Sequence, residues 1–138
     1  MAKTILRNCY VEVNSVDFST HCSSVEINLS KDDIDTTNFG GNGREHAHGL
    51  QDNSFVLNLQ QDFAAAEVDS VLYPLWHNEE EFAVVIRPTA AVVGPNNPEF
   101  SGECIFLEYK PLAGSVGELS ETSITCVVQR DTFDRVEA

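Results

Sequence analysis

The sequence predicts a mainly β domain: a β-sandwich or partly closed barrel of six to seven strands with one flanking α-helix over about residues 63–75. Short segments of alternating apolar and polar residues recur along the chain, as half-buried strands require. Glycine, proline and asparagine clusters punctuate them. A single window, FAAAEVDSVLYPLW, carries the helical period instead.

In chain order, residues 4–13 (TILRNCYVEV) read as a first strand and the segment from Asn14 to Ser19 as a turn. Residues 22–30 (CSSVEINLS) alternate, with Val25, Ile27 and Leu29 on one side and Glu26 and Asn28 on the other. Residues 32–38 (DDIDTTN) fit a polar edge strand whose charges discourage unwanted pairing. Residues 39–50 (FGGNGREHAHGL), with Gly40, Gly41, Gly43 and Gly49, read as a mobile excursion. A loop of that length in a compact domain is commonly functional.

Residues 54–60 (SFVLNLQ) set Phe55, Leu57 and Leu59 on one face. Asp62 is placed to cap the helix, along which Val68, Val71, Leu72, Leu75 and Trp76 form a stripe suited to core packing. Pro74 clashes with the carbonyl four residues back, so a bend or an end is expected near it. An acidic turn from His77 to Glu81 leads into residues 82–89 (FAVVIRPT), a strand expected to be buried on both faces. A GPNNP turn precedes closing strands over 101–110 and 120–130, the latter with Ile124, Cys126 and Val128 inward. The expected organisation is one domain over residues 1–130 and a mobile polar tail over 131–138.

A length of 138 residues suits one hydrophobic core. The formal net charge of −14 leaves eight scattered Lys and Arg, with no basic patch to neutralise phosphates, so tight binding of DNA is excluded. No apolar run reaches the roughly 18–20 residues of a membrane helix. The opening MAKTILRNCYVEV enters a strand without the apolar centre of a secretion signal, and synthesis in the cytoplasm is expected. Cys9, Cys22, Cys104 and Cys126 are far apart, form no CxxC pair, and are expected as free, buried thiols.

Motifs for chemistry are weak. Glu45, His46 and His48 share a GREHAHG segment that opens like the cupin metal motif, but at best Asp52 stands where a Glu belongs and no second half follows. His21 and His77 have no sequence context that joins them to it. Nucleophile elbows, Walker loops and dinucleotide fingerprints are lacking, and Asp32, Asp33 and Glu79–Glu81 read as solvated charge. The expectation is no enzyme, no cofactor and no metal.

Several ordered segments resemble the small tail tube (major tail) proteins of long-tailed phages, particularly those infecting actinobacteria. They are the run from Val16 to Val25 (VDFSTHCSSV), then Thr37-Asn-Phe-Gly40 with Arg44 and Gly49-Leu50, then Gln61-Asp-Phe-Ala-Ala65. They continue in Val68-Asp-Ser-Val-Leu-Tyr-Pro-Leu75, Val85-Ile-Arg-Pro-Thr89 and Pro111-Leu-Ala-Gly-Ser-Val-Gly117. The similarity covers residues 1 to about 130, and order and spacing carry it more than any single motif.

The resemblance implies a non-catalytic virion protein whose hexameric rings stack into a tube, made and assembled in the bacterial cytoplasm, with other tail proteins as partners. DNA would pass only transiently, and an acidic bore would repel it. Contacts between neighbours are expected from Phe39, Gly40, Gly41, Arg44, His46 and His48, and from the N-terminal segment. The alternatives are a neck or head-decoration protein of the same class, an immunoglobulin-like surface-binding module, and a cupin-like metal enzyme.

Overall fold

The computed structural model describes residues 3–137. In chain order the elements are β1 (Tyr10–Val13), β2 (Val16–Asp17), β3 (Cys22–Asp35), β4 (His46–Gln60), α1 (Val68–His77), β5 (Phe82–Arg87), β6 (Glu99–Ile105), β7 (Glu121–Val128) and β8 (Asp134–Val136). The mainly β class with one helix is the one expected. The strand count exceeds six or seven because β2 and β8 are too short to show alternation in sequence.

Every strand belongs to one antiparallel sheet, in the order β2-β1-β5-β6-β7-β4-β3, with β8 added to β6. Its two ends, β2 and β3, are separated in the chain only by residues 18–21. Laid flat, the seven strands of that path would set those ends about 29 Å apart, at roughly 4.8 Å per spacing. The chain from Asp17 to Cys22 spans about 17 Å at full extension. The sheet must therefore curl until its ends meet without pairing. One continuous, unclosed sheet curled in this way fits the β-sandwich or partly closed barrel of the sequence expectation. The seam turn is bonded on both sides: Gln60 N donates to His21 O at 2.6 Å, and Val11 N donates to Ser19 Oγ at 3.0 Å.

The core fills the concave side. Val11 and Val13, Phe55, Leu57 and Leu59, Phe82, Val84 and Ile86, Cys104, Ile124 and Cys126 form one buried cluster with Val68, Leu72 and Leu75 of α1. Each such side chain contributes about 1.5–3 kcal/mol by leaving water. In β5 the odd positions Ala83, Val85 and Arg87 are only half-buried, so the strand alternates and is not covered equally on both faces.

Further expectations are corrected. α1 starts at Val68, not near 63, because Ala66 has φ 62° and interrupts any earlier helix. Asp62 caps the preceding turn instead, its Oδ1 accepting the Ala64 N–H at 2.9 Å, and Glu67 is the N-cap. The helix then runs through Pro74 to His77, with Pro74 and Ser70 both on the exposed side. Finally, the segment after Arg130 is pinned: Phe133 packs against Phe55 and Phe100, with ring centroids 6.0 and 6.3 Å apart, and β8 pairs with β6.

Candidate assembly surface

β3 and β4 form a hairpin much longer than the sheet that carries it. Pairing of β4 with β7 ends at Ser54↔Val127, so residues 46–53 of β4 pair only with β3. At about 3.3 Å per residue that free ribbon projects roughly 26 Å. Two strands alone are marginal in water, which makes this ribbon a surface that gains from a neighbour. It carries the exposed apolar side chains Leu29, Ile34, Phe39 and Leu50, with Phe39 wholly exposed at the tip.

The six residues expected to meet neighbours all lie on this hairpin, but the mobile loop assumed for them shrinks to residues 36–45. Its tip is ordered by local bonds. Thr36 N donates to Glu45 O at 2.9 Å, Thr37 N to Asp35 Oδ1 at 2.9 Å, and Gly40 N to Asn38 Oδ1 at 2.8 Å. The Thr37 bonds hold the Asp35 carboxyl below its ordinary range. Arg44 reaches Asp35 at 3.4 Å, and Gly41 faces open space.

His46 and His48 are strand residues on one side of β4, and the loop placement is corrected accordingly. His46 Nδ1 lies 2.7 Å from Asp33 Oδ1, and His48 stands opposite Asp33 in register. Gly49 is required for packing: a Cβ there would lie 2.8 Å from Asp32 Cβ and 3.0 Å from Ile34 Cδ1, beside the register shift at Lys31/Asp33. β3 is also an edge of the sheet, guarded by Lys31, Asp32, Asp33 and those irregularities.

The convex side of the sheet is a second surface, which sequence reasoning did not assemble. Pairings Glu26↔Val56, Val56↔Thr125, Asn58↔Ser123 and Ala83↔Glu103 place Glu26, Asn58, Ser123, Thr125 and Glu103 opposite to the core-facing residues. Glu121 joins them through Asn58 Nδ2, which donates to Glu121 Oε2 at 3.1 Å. The clean alternation of 121–128 was the available signal. A third exposed apolar group, Leu112, Val116 and Leu119, sits on the β6–β7 connection.

Among the described residues, the sole group of three His, Cys, Asp or Glu ligand atoms close together is His21, Asp62 and Glu67. The GREHAHG segment forms no such group, and His77 instead stacks on Tyr73, with ring centroids 5.5 Å apart. The four thiols are free, and burial pushes Cys22 up to about 11 and Cys104 up to about 12. Cys9 and Cys126 are raised by the same cause, so all four stay protonated at neutral pH.

No protein-family model matches the chain, and no curated protein matches it in sequence. Solved structures do match in fold. A chain of the SPP1 tail tube aligns with TM-score 0.73 and 12% identity, over 99% of this chain and 81% of that one. A chain of a PVC extracellular contractile injection system, in its sheath/tube terminator in the extended state, gives 0.73 and 14% over 99% and 98%. A chain of the native gene transfer agent virion gives 0.69 and 13% over 94% and 95%. Identity this low shows likeness of fold alone: the backbone path of this chain agrees almost end to end with those of the SPP1 tail tube, injection-system and gene transfer agent chains.

Proposed function

We propose that this chain is a tail tube subunit of a phage-type particle, assembling with itself into stacked, hexameric rings around a channel that DNA crosses during ejection. The observation that carries the reading is the likeness of fold to the SPP1 tail tube chain over nearly the whole chain, combined with a 26 Å-class ribbon of two strands that has no support of its own (about 3.3 Å per residue over residues 46–53). Closure of a ring needs two different, complementary patches on each subunit. The hairpin with Leu29, Ile34, Phe39 and Leu50 is one, and the Leu112–Val116–Leu119 connection is the other. Glu26, Glu103 and Glu121 on the convex sheet face supply an acidic wall, which keeps DNA from adhering. The subunit is made and assembled in the bacterial cytoplasm, ends in the virion tail, and meets other tail proteins at the tube ends. Among the described residues, no helix is long and apolar enough to cross a membrane.

One observation favours a second reading. The likeness to the chain from the sheath/tube terminator assembly equals that to the SPP1 tail tube, so a component that ends a tube as a single ring has the same support. Negative-stain electron microscopy across a concentration series, with solution mass recorded alongside, separates the two. Long tubes with a central hole that admits duplex DNA are expected. Rings that never stack favour the terminator, and monomers at every concentration, even when seeded with isolated tail tips, overturn both.

A further inference from the structure

The barrel seam carries a group of side chains that the assembly reading does not use. His21 sits on the turn that joins the two ends of the sheet, and its Nε2 lies 3.0 Å from Asp62 Oδ2 and 3.5 Å from Glu67 Oε2. Its other ring nitrogen, Nδ1, is 3.1 Å from Thr20 Oγ1, and the ring edge rests on Phe18. The backbone N–H of His21 donates to Phe18 O at 2.9 Å, and its carbonyl accepts from Gln60 N. The imidazole is thus held with one nitrogen turned toward two carboxylates.

Both carboxylates are committed to that point. Asp62 uses Oδ1 for the Ala64 N–H and leaves Oδ2 for His21. Glu67 occupies the N-cap of α1, yet its side chain makes no capping bond and turns to His21 instead. Three ligand atoms, one nitrogen and two oxygens, lie within 4.8 Å of one another. A cation about 2.0–2.2 Å from each would need them roughly 3.4 Å apart in a tetrahedron. The two nitrogen–oxygen separations, 3.0 and 3.5 Å, already lie close to that value, and the two oxygens lie within 4.8 Å of each other.

We propose that His21, Asp62 and Glu67 form a site for one divalent transition-metal cation of zinc type, with water as the remaining ligand. An imidazole nitrogen selects such a cation over magnesium or calcium, which prefer all-oxygen sets. Two carboxylates neutralise its charge. Thr20 is the outer partner that orients the ring through Nδ1. The cation ties the seam turn to the start of α1, two segments that the strand hydrogen bonds do not join. The proposal stands independently of the tube reading.

Titration calorimetry of the full reduced chain, stripped with chelator, with ZnCl2 as the probe, tests it. One equivalent should bind, and melting temperature should rise with the metal and fall again on chelation. Glu67→Gln, at a partly exposed position that leaves the core intact, should weaken binding about tenfold or more while the metal-free protein melts as wild type. His21→Asn should weaken binding at least as much, at some cost to the metal-free protein through its lost contacts with Asp62 and Phe18. Cobalt(II) should bind without a thiolate charge-transfer band, which separates this site from the four free cysteines. The proposal is overturned by absence of saturable binding, by full affinity in Glu67→Gln, by a thiolate band, or by binding that disappears in the His46→Ala/His48→Ala chain.

Discussion

The Tyr109 hydroxyl donates to Asp69 Oδ1 at 2.7 Å and accepts from Gln61 Nε2 at 3.1 Å. One phenol thereby fastens the β6–β7 connection, with its exposed Leu112, Val116 and Leu119, to the first turn of α1 and to the end of β4. Gln61 Nε2 also donates to Pro111 O at 2.7 Å, and Trp76 Nε1 to Leu107 O at 3.0 Å, so the long connection is held at several points.

Removing that hydroxyl tests the clamp. Tyr109→Phe is expected to lower unfolding free energy by about 1–2 kcal/mol, because Asp69 and Gln61 lose a shared partner. Hydrogen exchange should quicken in residues 107–120 and remain unchanged in β4 and β7. The wild-type chain should also lose stability in alkali. Burial, then the bond to Asp69, pushes the Tyr109 hydroxyl from 10.0 up to about 12. A group raised on folding keeps its full contribution below the unfolded value, so the loss runs upward from pH about 10 to about 12, and Tyr109→Phe should flatten that part of the profile.

Leu57, one strand in from the β3 edge, pairs with Val25 and Ile124 and is fully buried. Leu57→Ala should cost about 2–5 kcal/mol through lost burial and the cavity left behind. A denaturant midpoint that shifts by less than about 1 kcal/mol equivalent would mean that the core closes over the gap.

Gly49 faces the β3 irregularity at a distance that no side chain tolerates. Gly49→Ala should therefore loosen the outer hairpin without touching the core. Amide exchange for residues 31–35 and 46–50 should rise, while the denaturant midpoint moves by under about 1 kcal/mol, as expected for a change remote from the core.

Phe39 makes no use of its ring within the subunit. Phe39→Ser should leave melting within about ±0.5 kcal/mol of wild type, as surface changes do. Tube formation, counted by electron microscopy, should fall sharply. Equal tube yield would remove the hairpin tip from the contact surface.

Charge reversal probes the wall. The chain with Glu26→Lys, Glu103→Lys and Glu121→Lys should still assemble, since these side chains lie on the convex face away from the core. Its tubes should retain short duplex DNA at low salt and release it as salt rises, whereas wild-type tubes retain none. Retention by neither would place the channel on another face.

Much of this protein was legible in its residues because strand and helix periods are local. Phe55, Leu57 and Leu59, then Val68, Leu72 and Leu75 of the helix stripe, and Ile124 with Cys126 were read from spacing alone and are buried as read, whereas Val71 and Val128 are half-buried and Trp76 of the same stripe is exposed. The mainly β class and the single helix followed. The chain ends and hairpin were misread for equally local reasons. Glycines at 40, 41, 43 and 49 signal a loop, yet pairing with Asp33, Ile34 and Asp35 extends β4 back to His46. A polar ending signals a tail, yet Phe133 finds Phe55 and Phe100.

What only the tertiary structure decided concerns contacts between distant segments. A turn of four residues, 18–21, forces seven strands to curl, and the pairing of Cys22 with Leu59, with Gln60 N donating to His21 O, brings His21 beside Asp62 and Glu67. The convex acidic face arises in the same way, since Glu26, Glu103 and Glu121 come from three strands whose order in the sheet differs from their order in the chain. Side-chain period is set by each residue's own backbone geometry and is written in sequence. Strand order is set by which apolar faces can be buried together, a property of the whole chain that no single segment encodes.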